Sequence, residues 1–251
     1  MIRILAIGNS FSEDATCYLH GILQAAGVEA KVVNLYIGGC PLEKHWANIV
    51  NTSPEYQYQI NGILTDRYVT IEEALQEEKW DHIITQQASH DSGWENSYEP
   101  FLGQIVAYLK EKAPEAVLHL HETWAYDPDS DHWAFPRYGC EQQLMYQRLS
   151  FCYKKMAAMY DLDLIPTGDL VQCLRSTSEF DMEKGGLSLC RDGFHMSYVY
   201  GRYLVACIWA KKLAGIVLKG NGFVPVSAFT EDGAEESLLE AIREAVDRFG
   251  M

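Results

Sequence analysis

Ile2-Arg3-Ile4-Leu5-Ala6-Ile7-Gly8-Asn9-Ser10-Phe11-Ser12 is the stretch on which the fold turns. Its first six residues are apolar apart from Arg3 and rich in branched side chains, as in a strand buried on both faces of a sheet. Gly8 suits a sharp exit from that strand. Glu13 and Asp14 open a helical pattern of Ala15, Leu19, Ile22, Leu23 and Ala26 that Gly27 closes, with the acids at the end the helix dipole favours. Ser10 and Ser12 therefore fall on a strand-to-helix turn, where a hydroxyl stands beside amides able to face a developing negative charge. The same position also suits a serine that only caps the helix.

Outward from this turn, strands and helices alternate. Residues 30–37 read as a second strand, ending at Gly38-Gly39-Cys40-Pro41, where the glycines allow a backbone amide close to a ligand. Pro41 begins a helix with Leu42, Trp46 and Ile49 on its apolar face. Residues 51–80 break the rhythm: runs 56–60 and 63–70 flank Asn61-Gly62, which predicts a hairpin inserted on the rim of the sheet, followed by a helix over 71–78. Residues 80–87 form a third strand that delivers Gln86 and Gln87, and 116–122 a fourth. A polar and aromatic loop then runs through Trp124, Tyr126 and His132-Trp133. A long helix over 138–160, a fifth strand over 162–166, a helix over 168–174 and a last major helix from Met196 follow. The tail adds a strand near Phe223 and a helix over 234–249.

This order predicts one α/β domain over residues 1–251, a three-layer α/β/α sandwich around a five-stranded, mainly parallel sheet with a small hairpin insertion. In such sheets ligands gather at the carboxyl ends of the strands, where Ser10, Gly39, Gln86 and the loop after His121 all lie. The composition, 48% hydrophobic and 22% charged over 251 residues, is that of a soluble globular protein. A net charge of −15 argues against nucleic acid or an anionic membrane surface as the main partner. The sequence shows neither a secretory signal pattern nor an apolar run long enough to span a bilayer, and its seven cysteines are scattered. The expectation is a cytoplasmic protein with reduced thiols.

Asp192-Gly193-Phe194-His195 places a carboxylate three residues from an imidazole, close enough to orient it. A serine becomes a nucleophile only when such a base takes its proton. Ser89-His90-Asp91 holds the same residue types, but sequence neighbours cannot line up as nucleophile, base and orienter. His119 and His121 share a strand face and could seed a metal site, yet no third ligand can be nominated, so no metal is expected.

Taken in order, these blocks resemble the SGNH (GDSL-like) hydrolase superfamily, in particular its bacterial branch with Gly-Asn-Ser-Phe-Ser. Gly8-Asn9-Ser10-Phe11-Ser12 resembles the nucleophile block and implies Ser10 as nucleophile. Asn34-Leu35-Tyr36-Ile37-Gly38-Gly39 resembles the second block, whose glycine amide helps bind the oxyanion, here Gly39. Asp192-Gly193-Phe194-His195 resembles the last block and implies His195 as base and Asp192 as its orienter. The third block departs from the family's Gly-x-Asn-Asp: Gln86-Gln87-Ala88-Ser89 is closer to the Gln-Gly-Glu-Ser of some carbohydrate-ester hydrolases. The resemblance thus implies an oxyanion hole of the Ser10 and Gly39 amides with Gln86, while Gln87 and His90 are further candidates for the third donor. Asn9, His121, Trp124 and Tyr126 are expected to line the substrate cleft. The implied activity is serine esterase, removing an acetyl or short acyl group from a carbohydrate or related small molecule without a cofactor. The alternatives are a catalytically silent carbohydrate- or ligand-binding protein on the same fold, and a flavodoxin-like nucleotide or phosphate binder. The absence of Gly-x-Gly-x-x-Gly or a Walker-type lysine after the first strand weighs against the latter.

Overall fold

A computed structural model describes residues 1–230 and 233–250. In chain order the elements are β1 (Ile2–Gly8), α1 (Ser10–Thr16), α2 (Leu19–Ala25), β2 (Ala30–Tyr36), α3 (Leu42–Asn51), β3 (Tyr56–Ile60), β4 (Ile63–Val69) and α4 (Ile71–Glu77). Then come β5 (His82–Thr85), α5 (Phe101–Lys112), β6 (Val117–His121), α6 (Gln142–Tyr160), β7 (Asp163–Ile165), α7 (Thr167–Leu174), α8 (Tyr200–Ala214) and α9 (Glu236–Arg248).

β1 is central, as its two-sided apolar run requires: Ile4, Leu5, Ala6 and Ile7 are all buried, and β2 and β5 pair with it in parallel. β6 and β7 extend the parallel sheet on one side. On the other side β3 pairs antiparallel with β2, and β4 with β3, giving the order β4-β3-β2-β1-β5-β6-β7. The α/β sandwich is therefore as expected, but the sheet has seven strands rather than five. The hairpin is continuous with the sheet because Gln57–Ile60 find free backbone partners on the edge of β2. Helices α1, α2, α8 and α9 cover one face, while α3, α4, α5 and α6 cover the other. α8 is buried almost all round, since α9 closes its outer side with Leu239, Ile242 and Val246.

The structure departs most from the sequence reading at four places. The first helix is broken at Cys17-Tyr18 into α1 and α2. α6 starts at Gln142 because Gly139 and Cys140 take positive φ (66° and 56°). α8 starts at Tyr200, since Met196 bridges to Cys190 as an isolated β-pair. No strand forms near Phe223; its ring instead packs on Tyr18, centroids 5.6 Å apart, beside Gly21. Among the described residues no helix is long and apolar enough to cross a membrane.

Three imidazoles lie buried in this frame. Burial pushes His45 and His121 down to about 3, and burial together with the neighbouring His82 pushes His119 down to about 4. The unfolded chain takes up these protons near the usual histidine value while the fold refuses them, so stability is lost as pH falls from ~6.5 toward the folded values. Glu122 runs the other way: burial and then the Asp169 charge raise it to about 7, so it favours the fold at lower pH. With these three imidazoles, and the partly buried His82, His90 and His132 shifted the same way by burial, against one carboxyl, the net slope in the pH 5–6.5 window should be a loss of stability on acidification. In His45→Asn, whose amide reaches the Nδ1 position without titrating, that slope should flatten in denaturant melts at pH 7 and pH 5. Equal slopes in the two proteins would contradict this account.

Candidate active site

Asn9 turns the end of β1 into α1. Its backbone is extended (φ −142°, ψ −154°), and its Oδ1 accepts the Phe11 amide at 3.0 Å, which makes it the helix N-cap. The capping task open to Ser10 or Ser12 is thus performed by Asn9, and Ser10 becomes the first helical residue. Ser12 is buried, its Oγ lying 2.8 Å from both Asn9 O and Asn34 Oδ1. Gly8 is needed for space: a Cβ there would lie 2.5 Å from Ser12 Oγ.

Ser10 Oγ lies 2.8 Å from His195 Nε2, and His195 Nδ1 lies 2.7 Å from Asp192 Oδ2. Asp192 Oδ1 also accepts the amides of His195 (2.7 Å) and Phe194 (3.2 Å), so the carboxylate is fixed by its own loop. Because a carboxylate oxygen here can only accept, Nδ1 of the neutral ring carries the proton and Nε2 meets Ser10 as an acceptor. Partial burial raises the Asp192 pKa, but the hydrogen bonds from the His195 ring and amide outweigh it and hold the carboxyl below its usual range. Gly39 has φ +62°, with no atom within 4 Å of a built Cβ, so its requirement is conformational. The amides of Ser10 and Gly39 have no hydrogen-bond partner among the described residues. Ser10, Gly39 and His195 line one cleft of about 250 Å³, together with Asn9, Phe11, Tyr36, Ser89, His90, His132 and Phe194.

Other expected site residues lie elsewhere. Gln86 is buried and does not line the cleft; its Nε2 donates to Asn9 Oδ1 (2.8 Å) and its Oε1 accepts from His121 Nδ1 (2.7 Å). Gln87 is engaged at both ends as well, donating to Ser97 O (2.8 Å) and accepting from the Leu42 amide (3.0 Å). His90 does line the cleft. His121, Trp124 and Tyr126 were expected in the cleft but are fully buried beneath it. Trp124 stacks under Phe11 with centroids 4.1 Å apart and donates to Phe194 O at 2.7 Å, while Tyr126 Oη lies 2.9 Å from Ser89 Oγ. The loop turns inward because Arg175 donates to Ala125 O (2.8 Å) and Asp127 Oδ1 (2.5 Å), drawing it against α7. Residues that sequence reasoning passed over, Tyr36, Ser89, His132 and Phe194, fill the wall instead. Their only signal was a place at a strand end, as for Tyr36, or in the strand-end loops.

Sequence reasoning also missed the role of Asp14, whose carboxylate has no exposed surface. It accepts the Met196 amide (2.8 Å), Arg202 Nε (2.8 Å) and Arg191 Nη1 (3.1 Å). Arg191 also donates to Met196 O. The helix carrying Ser10 is thereby fastened to the loop carrying Asp192 and His195. The signal was an arginine directly ahead of Asp192, uninterpretable without its partner.

Comparison with known proteins shows what the chain is similar to. The family model for DUF4886, described as a domain of unknown function, matches residues 3–240. The crystal structure of a DUF4886 family protein from Bacteroides uniformis is 37% identical, covering 98% of this chain and 93% of that one, with a TM-score of 0.89. A protein from Slackia heliotrinireducens, provisionally described as an SGNH hydrolase, is 21% identical over 85% of this chain and 99% of its own, with a TM-score of 0.56. A catalytic mutant of an acetylxylan esterase from Geobacillus stearothermophilus is 14% identical over 85% of this chain and 94% of its own, with a TM-score of 0.53. The last two share the fold. A search of the curated proteins found no match.

Removing the Asp14 charge strands two guanidinium groups, and breaking a buried pair in this way costs about 3–5 kcal/mol. Asp14→Asn should lose that much in urea unfolding at pH 7. A loss below ~1 kcal/mol, the range of an exposed pair, would show that the carboxylate does not fasten the loop.

Proposed function

The chain belongs to the DUF4886 family, and from the geometry of its cleft we propose that it is a serine ester hydrolase of the SGNH type. The observation that carries this reading is the hydrogen-bonded line from Ser10 Oγ through His195 to Asp192, opening on a cleft that also holds the Gly39 amide, unpartnered among the described residues. In the proposed reaction Ser10 Oγ attacks the ester carbonyl while His195 Nε2 takes its proton. Asp192 holds the imidazole with Nδ1 protonated and stabilises the imidazolium that forms. The carbonyl oxygen gains negative charge between the amides of Ser10 and Gly39. Collapse of the tetrahedral intermediate breaks the ester C–O bond, and His195 returns the proton to the leaving alkoxide. Water then attacks the acyl-enzyme by the same route and releases the acid. No step uses a metal or cofactor.

The small cleft favours a short acyl group such as acetyl. The leaving alcohol is proposed to be a carbohydrate. Trp133 is 70% exposed and stands against two cleft residues, His90 (centroids 5.3 Å apart) and His132 (5.5 Å). An exposed indole beside imidazole nitrogens suits a ring with apolar C–H faces and hydroxyl edges. The acetylxylan esterase with the same fold is consistent with that class.

A fluorophosphonate probe should label Ser10, and Ser10→Ala should abolish labelling while Ser12→Ala, if folded, retains it. Labelling that persists in Ser10→Ala would sink the assignment. For the leaving group, Trp133→Ala should raise KM for an acetylated xylo-oligosaccharide roughly tenfold, equivalent to ~1.4 kcal/mol, while ethyl acetate hydrolysis stays unchanged. Equal effects on both substrates would remove Trp133 from the sugar contact.

A further inference from the structure

We infer that His121, Gln86 and Asn9 form a buried positioning chain that sets the relative placement of the Ser10 and Gly39 amides, Gln86 acting through Asn9 and not on the substrate. The inference rests on the proposed role of those two amides as oxyanion donors.

The Asn9 side chain touches both donor-bearing segments. Its Oδ1 accepts the Phe11 amide in the first turn of α1, and its Nδ2 donates to Cys40 O (3.1 Å), one residue beyond Gly39. An asparagine amide is two-sided, so a flip about its last torsion would set Nδ2 against the Phe11 N–H and Oδ1 against the Cys40 carbonyl. Gln86 Nε2, donating to Asn9 Oδ1, adds a third mismatch to the flipped state. Gln86 could itself flip, but its Oε1 is held by His121 Nδ1. An amide oxygen only accepts, so this bond requires the His121 tautomer with the proton on Nδ1. Burial holds the ring neutral by pushing its pKa down to about 3. Its Nε2 is buried without a partner among the described residues, so the Nδ1 bond alone sets the tautomer. All three residues are at least 99% buried, which leaves little room for water to replace a missing link. A fixed tautomer thus fixes one amide, which fixes the next, which ties α1 to the Gly39 loop.

The test uses substitutions that keep volume and cap. Gln86→Met fills the same space without hydrogen bonds, and Asn9→Ser retains a good N-cap but reaches neither Gln86 nor Cys40. With p-nitrophenyl acetate, each should lower kcat about 10-fold to 10²-fold, the scale of a small displacement of catalytic groups, with KM within about twofold. The double variant should be no slower than Asn9→Ser alone, because Gln86 works only through Asn9. Multiplying effects would mean that Gln86 acts independently and would overturn the inference, as would an unchanged kcat in Gln86→Met. A second arm needs no turnover. In ¹H–¹⁵N spectra of the folded protein, Gln86→Met should shift the Gly39 and Ser10 amide resonances, and the His121 ring should report the Nδ1–H tautomer. An unmoved Gly39 amide, or a His121 ring protonated on Nε2, would overturn the chain. Wild-type protein that neither turns over esters nor takes the probe would instead refute the esterase reading, and the spectra would still decide this inference.

Discussion

Asp14 ties together elements that the covalent chain leaves far apart. Ser10 stands near one end of the sequence and His195 near the other, on segments that share no strand pairing. The Asp14 carboxylate, buried on the helix of the first, accepts the amide that follows the second, and two arginines neutralise it. At the surface such pairs contribute less than ~1 kcal/mol. Here burial makes the arrangement close to obligatory, because any geometry that pulls Met196 away leaves a dehydrated charge with fewer donors. Arg202 comes from α8, itself clamped between the sheet and α9, so the anchor is rigid. The 2.8 Å contact between Ser10 and His195 is therefore fixed by the positions of two backbones.

α1 needs this support. A seven-residue helix is marginal on its own, since nucleation costs more than so few hydrogen bonds return. Asn9 secures its first turn and Asp14 its last. The hairpin secures its side: Asn34 Nδ2 donates to Gln59 Oε1 (2.8 Å), and Gln59 Nε2 donates to Glu13 Oε1 (2.8 Å). β3 is thus part of the scaffold that holds α1 and Ser10, which explains why these strands join the sheet directly. Asn34 of β2, its antiparallel neighbour Gln59 of β3, Gln86 just after β5 and His121 at the end of β6 form a buried polar layer. Above it lies the cleft, below it an apolar core.

The element order was legible in the sequence because it rests on periodicity, and burial enforces periodicity locally. Ile4 to Ile7 read as a central strand and are one. Asn61-Gly62 marked its hairpin, and the spacing of Asp192 and His195 was enough to pair them. Direction was not legible. Trp124 and Tyr126 sit in a loop whose composition suits a cleft wall or a core equally, and Arg175, distant in sequence, decides between them. Gln86 carries the right donor at the right strand end, yet its partners are two buried polar groups that no local pattern reveals. Asp14 read as a favourable charge near a helix start, while its real task depends on Arg191, Met196 and Arg202 from the far end of the chain.

The histidines around the cleft follow from the same electrostatics. Forming the acyl-enzyme would make His195 an imidazolium, and a fixed positive neighbour would oppose that step. Burial lowers the pKa of both His90 and His132; in His132, the neighbouring His90 and His195 lower it further. Near neutral pH the wall therefore offers ring nitrogens for hydrogen bonding without adding charge beside the base. The Ala134 amide donates to His132 Nδ1 at 3.1 Å, which leaves the proton of its neutral ring on Nε2. A lysine in the same wall would bind hydroxyls as well but would raise the barrier to proton transfer. Aromatic, neutral and polar is the combination that the proposed reading, a sugar ring beside a histidine base, asks of this wall.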